Sequence, residues 1–343
     1  MLTVDFSTAQ DIQTLITDRD HSLWEVPVFD FIEQWYADQP QFEVRTSGST
    51  GPPKSIWHSR TSMTASAVRT CDFFGLKKED TALVAMPAQY IGGKMMVLRS
   101  IVRGLRMICI EPASDPLREL DPMLPIDFTA FTPMQMSGIL SHAASAEKLK
   151  HVRQIILGGG EVPEVLREQL QSLSAEVYES YGMTETITHI ALKKLNGPDR
   201  SDYFTAMQDV TLHLDDRGCL VIHAPHLSEK ELVTNDLAEL HSPTEFRWLG
   251  RYDNVINTGG IKVYAEEIER KLQPFISVPF FITGTADNVL GQTVTLVAEG
   301  SHVLSQDELN EHLSRYEKIR RIIMKDKFAY TATGKINKKE TLR

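Results

Sequence analysis

Cysteine is scarce in this chain. There are three, Cys71, Cys109 and Cys219, far apart and with no C-x-x-C pair. One of three must stay unpaired, so a disulfide framework is excluded and the reduced thiols of a cytoplasmic protein are expected. Long apolar runs are also missing. The most apolar stretch, 101–110, is broken by Arg103 and Arg106 and falls far short of the ~20 residues that span a bilayer, so no membrane insertion is expected. The opening residues MLTVDFSTAQD hold neither the basic nor the apolar region of a signal peptide. Cations are in the minority, 36 Lys and Arg against 46 Asp and Glu. A formal charge of −10 argues against a broad nucleic-acid surface, which needs clustered cations. No internal repeat and no low-complexity tract interrupts the chain.

The rest of the composition is that of an ordinary globular protein, with 42% hydrophobic and 24% charged residues. A length of 343 residues suits two or three domains, or one large domain with a small satellite. Strand-like runs at 81–86, 106–110, 128–131, 154–157 and 176–180 alternate with helical runs at 61–74, 94–103, 133–142 and 163–173. That alternation predicts an α/β core. Pro163 suits a first helical turn, where its missing N–H costs nothing. Phe31, Trp35 and Tyr36 share a helical face. From 210 to 248 the pattern becomes strand-rich and reads as a β-rich subdomain. A boundary is expected near 250–254, with a small α+β unit beyond. There Tyr264, Ile268 and Leu272 mark one helix face, and Ser305 with Glu308 forms a capping box.

The most informative segment is Thr46-Ser47-Gly48-Ser49-Thr50-Gly51-Pro52-Pro53-Lys54. Four hydroxyls and two glycines in six residues, followed by a lysine, suit a loop around phosphates. The glycine spacing is not that of a GxxxxGK[ST] loop. Read alone, the segment is equally a Ser/Gly-rich surface turn. Three further segments follow it: Tyr181-Gly182-Met183-Thr184-Glu185-Thr186, Gly250-Arg251-Tyr252-Asp253-Asn254-Val255-Ile256, and Thr333-Gly334-Lys335. In this order the four resemble the phosphate loop, YGxTE, GRxDxxI and TGK motifs of the adenylate-forming superfamily of acyl- and aryl-CoA ligases, peptide-synthetase adenylation domains and luciferases. The resemblance runs from about residue 44 to the end, and most members carry a longer portion before the phosphate loop.

The resemblance implies an adenylation domain over 1–250, and a hinge with a small mobile domain over 251–343. It implies ATP and Mg²⁺, a small-molecule carboxylate as substrate, and CoA as the acceptor thiol. Lys335 would be the catalytic cation, with Thr184 donating to the α-phosphate and Glu185 holding the metal. The bland alternatives are a solvated tail lysine beside Lys338 and Lys339, and an ordinary helix N-cap. Asp236 and Arg251 would hold the ribose, although Asn235 stands where glycine is usual; a surface ion pair is the competing reading. Gly158, Gly159, Gly160 and Glu161 would lie against the adenine and Tyr181 would stack on it, or the glycines simply make a strand–helix turn.

A second half-reaction is implied, in which the small domain turns about Asp253. Gly259, Gly260 and Lys262 would then line a narrow thiol channel; the same glycines suit a hairpin turn. Tyr90 stands where relatives carry a histidine that gates the acyl pocket, and it suits a core position as well. Pro52, Ser55 and Asn257 are further departures. The segment Pro87 to Met96 with LGGGE is most similar to ligases of an aryl keto-diacid, whose second carboxylate needs a partner if buried. Lys94 is the candidate, while Arg99 and Arg103 read as solvated helix charges. Two alternatives stay open: an adenylation protein that loads a carrier protein, and a nucleotide-binding regulator without turnover. The sequence carries no signal for an oligomeric state.

Overall fold

In the computed structural model, residues 1–8, 22–45, 55–300, 305–331 and 336–343 are described. Thr46, Ser47, Gly48, Ser49, Thr50, Gly51, Lys54 and Lys335 lie outside them.

The first half is an α/β layer structure. Its strands are β1 (Leu2–Asp5), β2 (Gln41–Arg45), β3 (Ser55–Ser59), β4 (Thr81–Val84), β5 (Arg106–Cys109), β6 (Ile126–Phe131), β7 (Val152–Leu157) and β8 (Glu176–Gly182). Its helices are α1 (Val26–Tyr36), α2 (Arg60–Phe73), α3 (Ile91–Arg103), α4 (Pro133–Leu140), α5 (Ala143–Lys148) and α6 (Glu164–Leu170). Strands β5, β4, β6, β7 and β8 lie side by side in parallel, and β1 closes the edge antiparallel to β5.

A parallel sheet is covered on both faces, so its strands are apolar on both sides. Alternate residues divide accordingly. Ala82, Val84, Phe128 and Ile156 join the core under α2 and α3, where Met63, Ala67, Met95 and Leu98 sit. Leu83, Phe131, Ile155 and Leu157 join a second core with Met136, Ile139, Leu166 and Leu170 from α4 and α6. Truncating a fully buried Phe128 to alanine would cost about 3–5 kcal/mol. Helix ends follow local chemistry. Ser59 caps α2 by accepting from Ser62 N at 3.0 Å, and Thr132 with Gln135 forms a capping box at α4. Helix α3 starts at Ile91, three residues before the sequence estimate, and ends at Gly104, whose φ of +68° is the left-handed stop glycine favours. Pro163 stands just before α6.

The strand-rich stretch continues the same sheet as an antiparallel wing. It comprises β9 (His189–Lys194), β10 (Phe204–Ala206), β11 (Thr211–Leu214), β12 (Cys219–His223), β13 (Leu232–Ser242) and β14 (Glu245–Arg251), added beyond β8 in the order β9-β10-β14-β13-β12-β11. After a short turn at Tyr252–Asn254 a second sheet begins. It holds β15 (Val255–Thr258), β16 (Ile261–Tyr264), β17 (Phe280–Asp287), β18 (Gly291–Glu299) and β19 (Arg321–Lys325), with α7 (Ala265–Leu272), α8 (Gln306–Glu311) and α9 (Lys338–Thr341). This unit has its own core of Ile256, Ile268, Leu272, Ile282, Leu296 and Leu309. The capping box at Ser305 and Glu308 opens α8 as its sequence suggests. No helix among the described residues is long and apolar enough to cross a membrane.

Candidate functional site

Ligands of open α/β sheets bind beyond the carboxyl ends of the parallel strands. Here β7 runs into Gly158-Gly159-Gly160-Glu161 and β8 ends at Tyr181-Gly182. These two ends form one wall of a cleft of about 490 Å³, lined by Gly159, Gly160, Glu161, Tyr181 and Asp236 among others. Three separate segments of the sequence, around 160, 181 and 236, thus share one concavity. Gly158 and Arg251 adjoin it: a Cβ on Gly158 would sit 2.7 Å from Ser180 Oγ, and Arg251 reaches Asp236.

Tyr181 donates its hydroxyl to Asp236 Oδ2 at 2.7 Å, and Arg251 donates to Oδ1 at 3.2 Å. Asp236 and Arg251 are register partners on β13 and β14. Burial pushes the Tyr181 phenol well above its ordinary pKa, and the Asp236 charge adds to the shift, so the hydroxyl stays protonated as a donor. The ring packs edge-on to Phe246 at 5.0 Å and beside Phe204 at 5.9 Å. It therefore has one aromatic edge committed to the core and its polar tip committed to Asp236.

Glu161 is held from an unexpected side, because Arg270 of α7 donates to its Oε1 at 2.9 Å. Below it, buried Glu179 meets Lys193 at 2.8 Å, Arg167 at 2.9 Å and Val162 N at 3.2 Å. Lys193 lies 4.3 Å from the Phe204 ring centroid, and burial lowers its ammonium against the opposing pull of Glu179. This cluster supports the glycine turn from beneath. Sequence reading missed it, since Glu179 and Lys193 look like ordinary strand charges.

After β8 the chain makes a 3₁₀ turn at Thr184–Thr186. Met183 N donates to Thr186 Oγ1 at 2.9 Å, and Thr186 Oγ1 donates to Thr188 O at 2.7 Å. His58 Nε2 lies 2.7 Å from Thr184 O. Burial lowers the His58 pKa, with that carbonyl and Glu185 pulling the other way. Ile187 then adopts φ 65°, ψ −60° inside a γ-turn closed by Thr188 N to Thr186 O at 2.7 Å. A β-branched residue there stores strain, and only a structure that over-determines the turn keeps it. Glu185 is exposed on this turn, while Thr184 is half-buried. Neither lines the cleft.

On the other side, Tyr90 precedes α3 and is half-buried. Lys94 donates to Glu43 O at 3.1 Å and lies 6.0 Å from the Phe31 ring centroid; burial lowers its ammonium, which Glu43 opposes. Arg99 corrects the sequence reading. It is not a solvated helix charge but 3% exposed, with Nε buried and without a hydrogen-bond partner. Its other nitrogens reach Thr188 Oγ1 at 3.1 Å and Met96 Sδ at 3.5 Å. Burial pulls this guanidinium down to about 10. Thr188 carries the contact on to His189 Nδ1 at 3.0 Å. Arg103 is partly exposed and pairs with Asp72.

Asp253 is exposed on the turn between the sheets, near Asn235 Nδ2 at 3.4 Å and Arg251 at 3.7 Å. Gly259 and Gly260, with φ of +57° and +80°, form the tight hairpin joining β15 to β16. The turn reading is therefore realised. The hairpin and Lys262 are exposed and do not line the cleft. Among the described residues, no group of three or more His, Cys, Asp or Glu side chains is arranged to hold a metal.

A mixed sheet with this cleft on its carboxyl edge, followed by a small unit with its own core, is the architecture of adenylate-forming enzymes. The chain belongs to the AMP-binding enzyme family, matched over residues 4–217, and with it to the superfamily of AMP-forming acyl-CoA ligases. It is similar to an acyl-CoA synthetase (AMP-forming)/AMP-acid ligase II-like protein of Dyadobacter fermentans, at 34% identity, TM-score 0.69, 99% of this chain and 98% of that one. It shares its fold with the o-succinylbenzoate coenzyme A synthetase of Bacillus subtilis in complex with ATP and magnesium ion. That match has 20% identity and a TM-score of 0.75, covering 88% of this chain and 69% of the other. In sequence it resembles the 2-succinylbenzoate–CoA ligase of Bacillus cereus strain AH820, 23% identical over 96% of this chain and 78% of that one.

Proposed function

We propose that this chain joins a carboxylic acid to AMP at the expense of ATP and transfers the acyl group to CoA, and that the acid is o-succinylbenzoate. The observation that carries the nucleotide half is the Tyr181–Asp236–Arg251 group beside the glycine turn. Asp236 offers a carboxylate to ribose hydroxyls, Arg251 neutralises it, and Gly159 and Gly160 leave backbone open to a flat base. Bringing a carboxylate to a phosphate needs positive charge and donors. Thr184 and Lys335 are the residues read for that task, with the segment Thr46 to Lys54 around the phosphates. Glu185, exposed on its turn, suits Mg²⁺, which takes one or two carboxylates and keeps waters and phosphate oxygens. The ion would offset phosphate charge.

The substrate reading draws on the likeness to 2-succinylbenzoate–CoA ligases and on Arg99, which is buried behind the cleft rather than lining it. A guanidinium 3% exposed, with one nitrogen unpaired and no described carboxylate against it, suits an acid that brings a second carboxylate. Lys94 is the second candidate: it gives one of its three N–H donors to the Glu43 carbonyl and is less deeply buried than Arg99. Residues 1–250 are read as the adenylation domain and 251–343 as the hinge and small domain. In the second half-reaction Asp253 would absorb the turn, and Gly259, Gly260 and Lys262 would reach the thiol path beside Tyr90.

The test is pyrophosphate release with ATP and Mg²⁺ over a panel of o-succinylbenzoate, benzoate, fatty acids and amino acids, with and without CoA. Release with o-succinylbenzoate and a CoA thioester in the mass spectrum is expected. Release with another acid would replace the substrate, and adenylate formation without thioester would favour a carrier-protein acceptor. ATP binding with no release from any acid would overturn the catalytic reading.

A further inference from the structure

We propose that Arg270 and Glu161 form a latch between the small C-terminal unit and the nucleotide cleft, and that this latch favours the orientation in which the acid is adenylated. The inference rests on the function proposed above.

Helix α7 has two working faces. Ile268 and Leu272, four residues apart, enter the core of its own unit. Glu266 and Arg270, also four apart, share another face. Glu266 is buried against the chain joining the units: Asn254 Nδ2 donates to its Oε1, and its carboxylate lies where a Cβ on Gly250 would come. One turn further along, Arg270 Nε meets Glu161 Oε1 at 2.9 Å. The other ionic partners on α7 stay within the unit, Glu269 with Lys338 at 2.8 Å and Lys271 with Glu317 at 2.6 Å. Among the described ion pairs, Arg270–Glu161 is thus the one that ties a residue before the hinge to a residue after it.

The position of this pair gives it a consequence. Glu161 ends the glycine turn on which the base would lie, and Arg270 is the one cleft-lining residue beyond Trp248 among those described. A nucleotide that orders 158–161 therefore steadies α7, and α7 in place steadies the turn, as reciprocal coupling requires. The Gly259–Gly260 hairpin, read as serving the second half-reaction, is exposed and away from the cleft in this orientation. Moving it inward would require the Arg270–Glu161 pair to part. A partly exposed pair has the strength to bias such an exchange by a few-fold without freezing it.

The experiment separates the two half-reactions in the full chain: acid-dependent pyrophosphate–ATP exchange with o-succinylbenzoate, and thioester formation from supplied acyl-adenylate and CoA. Arg270→Met is expected to lower exchange about three- to fivefold while thioester formation stays within twofold. Glu161→Gln should lower exchange by the same factor, and the double variant should lose no more exchange than either single. The swap of Arg270→Glu with Glu161→Arg should recover exchange to within twofold. Salt should shrink the difference between wild type and Arg270→Met. A readout free of turnover is amide hydrogen exchange, which should rise in 158–161 and 265–272 in Arg270→Met. Equal loss in both half-reactions, additive single losses, or unchanged amide protection would overturn the latch. A wild-type protein inactive on every acid, whose amides nonetheless loosen in Arg270→Met, would overturn the function and leave the latch standing.

Discussion

Tyr181 and Asp236 touch at 2.7 Å although their strands are four places apart in the sheet, with β9, β10 and β14 between them. In a flat sheet that spacing is about 19 Å at ~4.8 Å per strand. The wing must therefore curl over the carboxyl edge. Register shifts at Tyr181/Gly182, Leu237/Ala238 and Leu240/Ser242 supply local bends of the kind bulges make. Curling turns an open edge into a cleft and delivers a carboxylate from β13 to the end of β8.

The two partners should not be equivalent in binding. If Asp236 serves the ligand, Asp236→Asn weakens ATP binding by about 1.5–3 kcal/mol, the range for a hydrogen bond to a charged group, or roughly ten- to a hundredfold. Tyr181→Phe frees one oxygen of Asp236 without removing its charge and should cost less than tenfold. Isothermal titration with ATP and Mg²⁺ compares them. Equal losses would mean that Asp236 mainly seats Tyr181.

Arg99 and Lys94 divide the question of the second carboxylate. Lys94 spends a donor on Glu43 O, whereas Arg99 keeps Nε unpaired. Arg99→Met should raise KM for o-succinylbenzoate at least tenfold with KM for ATP within twofold, and Lys94→Met should raise it less than threefold. Steady-state kinetics with each substrate varied gives the comparison. The reverse order would restore Lys94 as the partner.

Much of this architecture was readable beforehand, for identifiable reasons. Strands buried on both faces announce themselves as short apolar runs, and TALV, IDFTAF and VRQIIL lie within two residues of their expected places. Motifs at the ends of β7 and β8 were readable because glycine marks backbone that must come close to something. What stayed hidden depends on tertiary position. Arg99 is one charge in a helix, and nothing in its neighbours says that α3 turns it inward. Arg270 and Glu161 are 109 residues apart, so their pairing is set by how the two units meet. The hairpin β2–β3 was missed because its strands flank the segment read as a phosphate loop.

The same buried network sets an acid limit. His189 is held between Thr188 Oγ1 at 3.0 Å and Thr70 Oγ1 at 3.2 Å. Burial drives its pKa well below 6.5, and Arg99 pushes the same way. A depressed native pKa gives stability that is present above the unfolded value of about 6.5 and lost as pH falls through the native one. His226, lowered to about 4 by burial, and His58 act in the same direction. The unfolding midpoint should be flat from pH 8 to 7 and fall progressively below 6.5. His189→Gln should begin lower, by about 1–2 kcal/mol for the disturbed hydrogen bonds, and fall less steeply. Calorimetry across this range checks it, and parallel slopes would remove His189 as a contributor.

Two glycines in the cleft wall should fail in different ways when replaced by alanine. Gly182 has no room: a Cβ would overlap Thr188 O and come within 2.6 Å of His189 Cα, both backbone atoms that cannot swing aside. Gly182→Ala should therefore lower stability by about 1–3 kcal/mol, as overpacking does, and disturb the strained turn at Ile187 with it. Gly160 has nothing within 4 Å of its Cβ position and needs no glycine for the fold. If its smallness serves a base lying on the backbone, Gly160→Ala keeps the wild-type melting midpoint to within a degree or two and raises the Kd for ATP severalfold. Thermal unfolding and nucleotide titration on both variants give four numbers, of which only the Gly182 midpoint and the Gly160 affinity discriminate. An unchanged Gly160→Ala affinity would move the base off this turn, and an unchanged Gly182→Ala midpoint would mean that β8 and β9 can part at their junction.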